Sequence, residues 1–220
     1  MGQRVRVLVA VGVLMLGAVG TESAPIAAAA QRGCPMPQIF ATDNTAIITD
    51  PADPRLRTRL IRFEHDVRGI IHANGARPGP STLLNGVFWS GELKETTYER
   101  SREFEVGQVN RDGLHHIAGV IAKRYHQESV LTFRCLAPGS PEVDAVEIQA
   151  PGVSAAALHD ALVADPRARD ELGGGSVTLG GRLVLVTPLA ALPLARTFTR
   201  TLGVDWATAQ VRYGDEEFVR

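Results

Sequence analysis

Two neighbouring histidines, His115 and His116, and a crowd of glutamates, Glu95, Glu99, Glu103 and Glu105, are the residues most able to do chemistry. Carboxylates in pairs can exchange protons or hold Ca²⁺, and histidine can do acid–base work or bind zinc. Their spacing argues against most of these uses. Alternation along an extended segment puts Glu99, Glu103 and Glu105 on one side, but no second acidic segment converges on them, so the pattern reads as a solvated face. Adjacent helical residues diverge, so His115 and His116 cannot easily serve one ligand. A zinc centre needs three or four converging ligands, and His-x-x-x-His spacing is absent. No metal and no cofactor are expected.

The remaining candidates are equally bland. His65 and His72 share the polar face of a helix with Glu64, Asp66 and Arg68 around His65. Gln127-Glu128-Ser129 lies where a helix hands over to a strand, a place where side chains commonly satisfy loose backbone groups. Ser101, Ser129 and Ser154 lack a nucleophile-elbow context, and Gly173-Gly174-Gly175 lacks the lysine of a phosphate loop. If the chain is a small extracytoplasmic, hydrolase-like enzyme using a His/Glu pair, His116, Glu99 and Glu128 are the catalytic candidates.

The elements that would position these residues are legible in outline. Ala46–Thr49 reads as a first strand. Asp53-Pro54 opens a helix that runs to the Asn74-Gly75 stop, with Leu56, Leu60, Phe63, Val67 and Ile71 on one face. Ser81–Trp89 and the strictly alternating Lys94–Val106 follow as strands. In the second of these Tyr98, Arg100, Arg102, Phe104 and Val106 face the helices, with the arginines reaching towards an edge. A helix bearing Leu114, Ile117, Ile121 and Tyr125 leads into the strand Ser129–Leu136.

After the linker Ala137–Pro141 the order repeats. Val143–Gln149 is a strand, and Ser154 caps a helix. Gly180-Gly181 turns a hairpin between Val177–Leu179 and Arg182–Val186. A helix near Pro193 and a strand Ala207–Tyr213 follow, and Gly214–Arg220 is a charged tail. Two runs of β-α-β-β-α-β predict an α+β protein of tandem ferredoxin-like (split βαβ) halves, residues 31–137 and 142–214, with helices on one face of each antiparallel sheet. A single larger sheet is the alternative.

Residues 1–30 have the three parts of a secretory signal peptide: Arg4 and Arg6, the apolar run Val7–Val19, and small residues ending at Ala30. The apolar run is too short for a spanning helix, so no membrane span is expected in the mature protein. An exported chain with two cysteines predicts the disulfide Cys34–Cys135. Net charge is -1 and the pI is about 6.6, which gives no pull towards nucleic acid.

Lys123-Arg124-Tyr125-His126-Gln127-Glu128-Ser129-Val130-Leu131, with the charged strand Glu99–Glu103 before it, resembles a family of short exported bacterial proteins of unknown function. The resemblance covers roughly Ala46 to Arg134. It implies a ferredoxin-like topology and brings no established chemistry. The resulting expectation is an exported, non-catalytic protein that binds an unknown protein or small ligand outside the cytoplasm. A secreted-protease inhibitor or folding-partner module is a further alternative, by fold analogy alone.

Overall fold

The computed structural model describes residues 35–220. Its first set of elements is β1 (Gln38–Ala41), α1 (Ile61–Ala73), β2 (Arg77–Ser90), β3 (Glu95–Gly107), α2 (Arg111–Arg124) and β4 (Val130–Cys135). The second is β5 (Ala145–Pro151), α3 (Ala155–Ala164), α4 (Pro166–Glu171), β6 (Gly174–Thr178), β7 (Arg182–Pro188), α5 (Leu192–Thr201) and β8 (Gln210–Val219). All strands pair antiparallel and close into one barrel, in the order β1-β3-β2-β6-β7-β5-β8-β4.

This corrects the expectation of tandem ferredoxin-like halves. The two sets of strands meet at their edges. β2 pairs with β6 from Leu84↔Thr178 to Phe88↔Gly174, and β4 pairs with β8 from Val130↔Val219 to Cys135↔Gly214. An open sheet leaves a row of unpaired N–H and C=O groups at each edge, and closure satisfies them. The sheet faces that would otherwise have needed a partner become the barrel wall.

Both seams depend on glycine. A Cβ on Gly174 would lie 2.3 Å from the Val87 carbonyl oxygen and 2.6 Å from Phe88 Cα, and its φ of +151° disfavours any other residue. A Cβ on Gly214 would lie 2.3 Å from the Arg134 carbonyl oxygen and 2.6 Å from the Phe133 ring. The glycine run at 173–175 therefore leads into a strand, β6.

Two other boundaries are corrected. The first strand is Gln38–Ala41, while residues 46–49 form an irregular cover tied to β3 by the Tyr98 N–H donating to the Ile48 carbonyl at 2.7 Å. The charged tail is the second half of β8, held to its neighbours by Arg134–Asp215 at 3.1 Å and Arg111–Glu217 at 3.4 Å.

The helices lie outside the barrel over two apolar layers. One joins Phe63, Val67 and Ile71 of α1 and Leu114, Ile117 and Ile121 of α2 to Ile39, Phe104 and Val106. The other joins Leu158 and Leu162 of α3 and Phe198 of α5 to Val146, Ile148, Leu183 and Leu185. At about 25 cal/mol per Å² of apolar surface, these layers supply the main driving force for folding. Asn110 starts α2 by accepting from the Gly113 N–H at 2.9 Å.

The outward side of β3 carries Arg100 and Arg102, but they do not reach towards an edge. Both are buried beneath the chain before α1. Arg100 Nε donates to the Thr58 carbonyl at 2.8 Å. Arg102 Nη2 donates to the Arg59 carbonyl at 3.0 Å and pairs with Glu64 at 2.8 Å. Guanidinium groups tolerate such burial when most of their donors are used; Arg102 Nε is left without a partner.

The predicted leader and Cys34 lie outside the described residues. Cys135 closes β4 and is the one cysteine among the described residues, so the expected Cys34–Cys135 pairing also lies outside them. Among the described residues no helix is long and apolar enough to cross a membrane.

Candidate ligand site in the barrel lumen

Strand alternation decides which side chains enter the lumen. On β3, Phe104 and Val106 pack outward beneath the helices, so Thr97, Glu99, Ser101, Glu103 and Glu105 point inward. The face expected to be wet is therefore the inner wall of a barrel. Register carries the same side across each strand pair. Phe40 lies opposite Glu103, Phe88 opposite Thr97, Gly86 opposite Glu99, and Glu216 opposite Phe133.

The middle of the lumen is filled by a polar network. Gln38 Nε2 donates to Glu103 Oε1 at 2.5 Å. Arg212 Nη1 pairs with Glu147 Oε2 at 3.0 Å, and Gln149 Nε2 donates to Glu147 Oε1 at 2.7 Å. Glu147 is fully buried. Burial, followed by the charge of Glu147, pushes the Glu103 carboxyl up to about 7, although the Gln38 hydrogen bond and Arg212 pull it back.

Beyond this plug the lumen opens into a cavity of about 490 Å³, within the roughly 300–1,000 Å³ usual for small-ligand sites. Its apolar wall includes Phe40, Phe88, Leu131, Val184, Val186 and Phe218. Its polar groups are Glu99, Ser101, Gln127, Ser129, Ser176 and Glu216. Gly86 makes room for this wall, because a Cβ there would strike the Phe88 ring at 2.4 Å. Phe218 is 63% exposed although it faces inward, which marks the open mouth.

A second cavity, of about 430 Å³, adjoins the first under the irregular cover. Phe88, Glu99, Gln127 and Ser129 line both. Gln127 is tied to the chain leaving β1, because its Oε1 accepts from the Thr42 N–H at 3.2 Å. Its Nε2 is buried and has no hydrogen-bond partner. His126, just before it, has a φ of +53°, and the Gln127 N–H closes the end of α2 on the Ala122 carbonyl at 3.0 Å.

The site residues expected from sequence separate. Glu99 stands in the wall shared by the two cavities. Burial holds its carboxyl above the usual range, with the Ser101 hydroxyl drawing it back. Glu128 is exposed at the edge of the smaller cavity. His116 is exposed on α2 outside the barrel and lines neither cavity, so a His116–Glu99 pair does not form. His126 lines the smaller cavity together with Glu99.

Glu216 was missed because it sat in an apparent tail. Burial first, then the charge of Asp144, raises its carboxyl. The one available signal was Phe218, an apolar residue two positions further along the same face. Among the described residues no three His, Cys, Asp or Glu side chains converge as metal ligands.

No protein-family model matches the chain, and no curated protein matches it. Among solved structures it is similar to a "putative monooxygenase" from Lactobacillus acidophilus NCFM. That match covers 83% of this chain and 93% of the other, at 14% identity and a TM-score of 0.26. A likeness this weak assigns neither fold nor chemistry.

Proposed function

We propose that the protein binds a compact amphipathic small molecule in the open end of its barrel. The observation that carries this reading is the cavity of about 490 Å³ walled by aromatic and aliphatic side chains, with Glu99, Ser101 and the unpartnered Gln127 amide in its lining. An apolar wall with a few convergent polar groups is the usual make-up of a ligand site. A buried amide donor without a partner gains a hydrogen bond when a ligand oxygen reaches it. The N-terminal pattern of basic, apolar and small residues supports action outside the cytoplasm.

The test is a ligand-observed NMR screen of small amphipathic molecules, repeated on Ser176→Trp, which fills the lumen from β6. Hits on the native protein should vanish in a variant whose circular dichroism spectrum is unchanged. Hits that persist there bind elsewhere and end this reading.

A second reading, a proton-transferring enzyme, is favoured by one feature. Glu99 combines a raised carboxyl with a place on both cavity walls, as a general acid or base requires. In that case Glu99→Gln would keep ligand affinity and abolish turnover of a bound molecule.

A further inference from the structure

The cavity is uneven in charge. Two carboxyl side chains, Glu99 and Glu216, enter it, and among the described residues no Lys, Arg or His lines it. Three phenyl rings, Phe40, Phe88 and Phe218, share the same wall. Arg169 lies 4.2 Å over the Trp89 ring and does not line the cavity.

A carboxylate beside aromatic faces is a setting that favours a positively charged organic group. The carboxylate supplies direct Coulomb attraction, and the ring faces add cation–π attraction. An anion would meet two like charges with no basic side chain to offset them. A neutral molecule would hold both carboxyls in their neutral forms and gain nothing from their charge. Ser101, Ser129 and Ser176 supply hydroxyl groups around the cationic head, and Gln127 Nε2 can donate to an oxygen carried beside it.

We infer that the ligand of this cavity is an organic cation, an amine or quaternary ammonium on an apolar or aromatic body, held by Glu99 and Glu216. The inference rests on the lumen being the binding site and adds the chemical class of what enters it. Glu99 reaches the cation from β3 and Glu216 from β8, so the head group lies between walls contributed by both sets of strands. The apolar body points towards the mouth, where Phe218 is exposed.

The experiment titrates the full protein with phenethylammonium, 2-phenylethanol and 3-phenylpropionate at mildly alkaline pH, by isothermal calorimetry. The three probes share a phenyl body and differ in charge. The ammonium should bind about tenfold or more tightly than the alcohol, and the carboxylate most weakly. In the Glu99→Gln/Glu216→Gln variant the ammonium should lose about tenfold while the alcohol is unchanged. An unchanged alcohol titration also shows that the variant is folded and the cavity intact.

Alcohol or carboxylate binding better than ammonium would overturn the cation assignment and leave the cavity reading standing. So would a preference for ammonium that survives in the double variant. Absence of binding by all three probes would overturn both.

Discussion

Glu103 and Glu147 reach into the lumen from β3 and β5, which stand opposite one another in the eight-stranded ring. Arg212 pairs directly with Glu147 alone, at 3.0 Å. Glu103 is left with an amide partner, Gln38, and with the field of a second carboxylate. The barrel thus closes over a group that favours its neutral form.

That arrangement predicts an unusual pH dependence. The Glu103 carboxyl moves from 4.5 to about 7 in the folded protein. Below the lower value both states are protonated. Between the two values the unfolded chain ionises while the folded chain stays protonated, so stability falls as pH rises through this window and levels off above it. The loss is roughly 2–4 kcal/mol. Urea midpoints should fall from mildly acid to neutral pH, and Glu103→Gln should flatten that decline. An equal decline in the variant would exclude Glu103 as its source.

At the β4–β8 seam Gly214→Ala is expected to destabilise by about 1–3 kcal/mol, because a Cβ 2.3 Å from the Arg134 carbonyl oxygen forces the strands apart. Gly139→Ala is the useful contrast. Its φ is +82° but nothing lies within 4 Å of its Cβ, so it isolates the backbone cost from the steric one. Similar melting temperatures for the two variants would refute the seam argument.

His126 occupies the left-handed region at the end of α2, where glycine is the usual residue. His126→Gly should stabilise the protein by roughly 1 kcal/mol. A loss of stability on denaturant unfolding would mean that the imidazole makes a contact worth more than this backbone strain.

His116→Ala should leave both stability and ligand binding unchanged, since the side chain is exposed on α2 and lines neither cavity. Replacing Asn110 by alanine is different. It removes the cap that accepts from the Gly113 N–H and should cost about 1 kcal/mol in thermal unfolding.

Much of the local structure could be read from residue order. The period of Leu114, Ile117 and Ile121 determined α2, Ser154 and Pro193 marked helix starts, and Gly180-Gly181 determined a hairpin. The alternation in Glu95–Gly107 correctly separated its two sides. The side holding Glu99, Ser101 and Glu103 reads as a solvated surface by residue type, because acidic residues in a strand ordinarily face water.

The partners of the sheet edges are fixed in the folded chain alone. Pairing β2 with β6 and β4 with β8 turns a polar face into an enclosed wall. It also recruits Glu216 and Phe218 from an apparent tail. Hydrogen bonding between strand edges depends on partners about 80 to 95 residues away along the chain, and local residue patterns carry no record of that choice. Residue order carried most of the elements and the side on which strand residues point; closure decided that one of those sides is the inside.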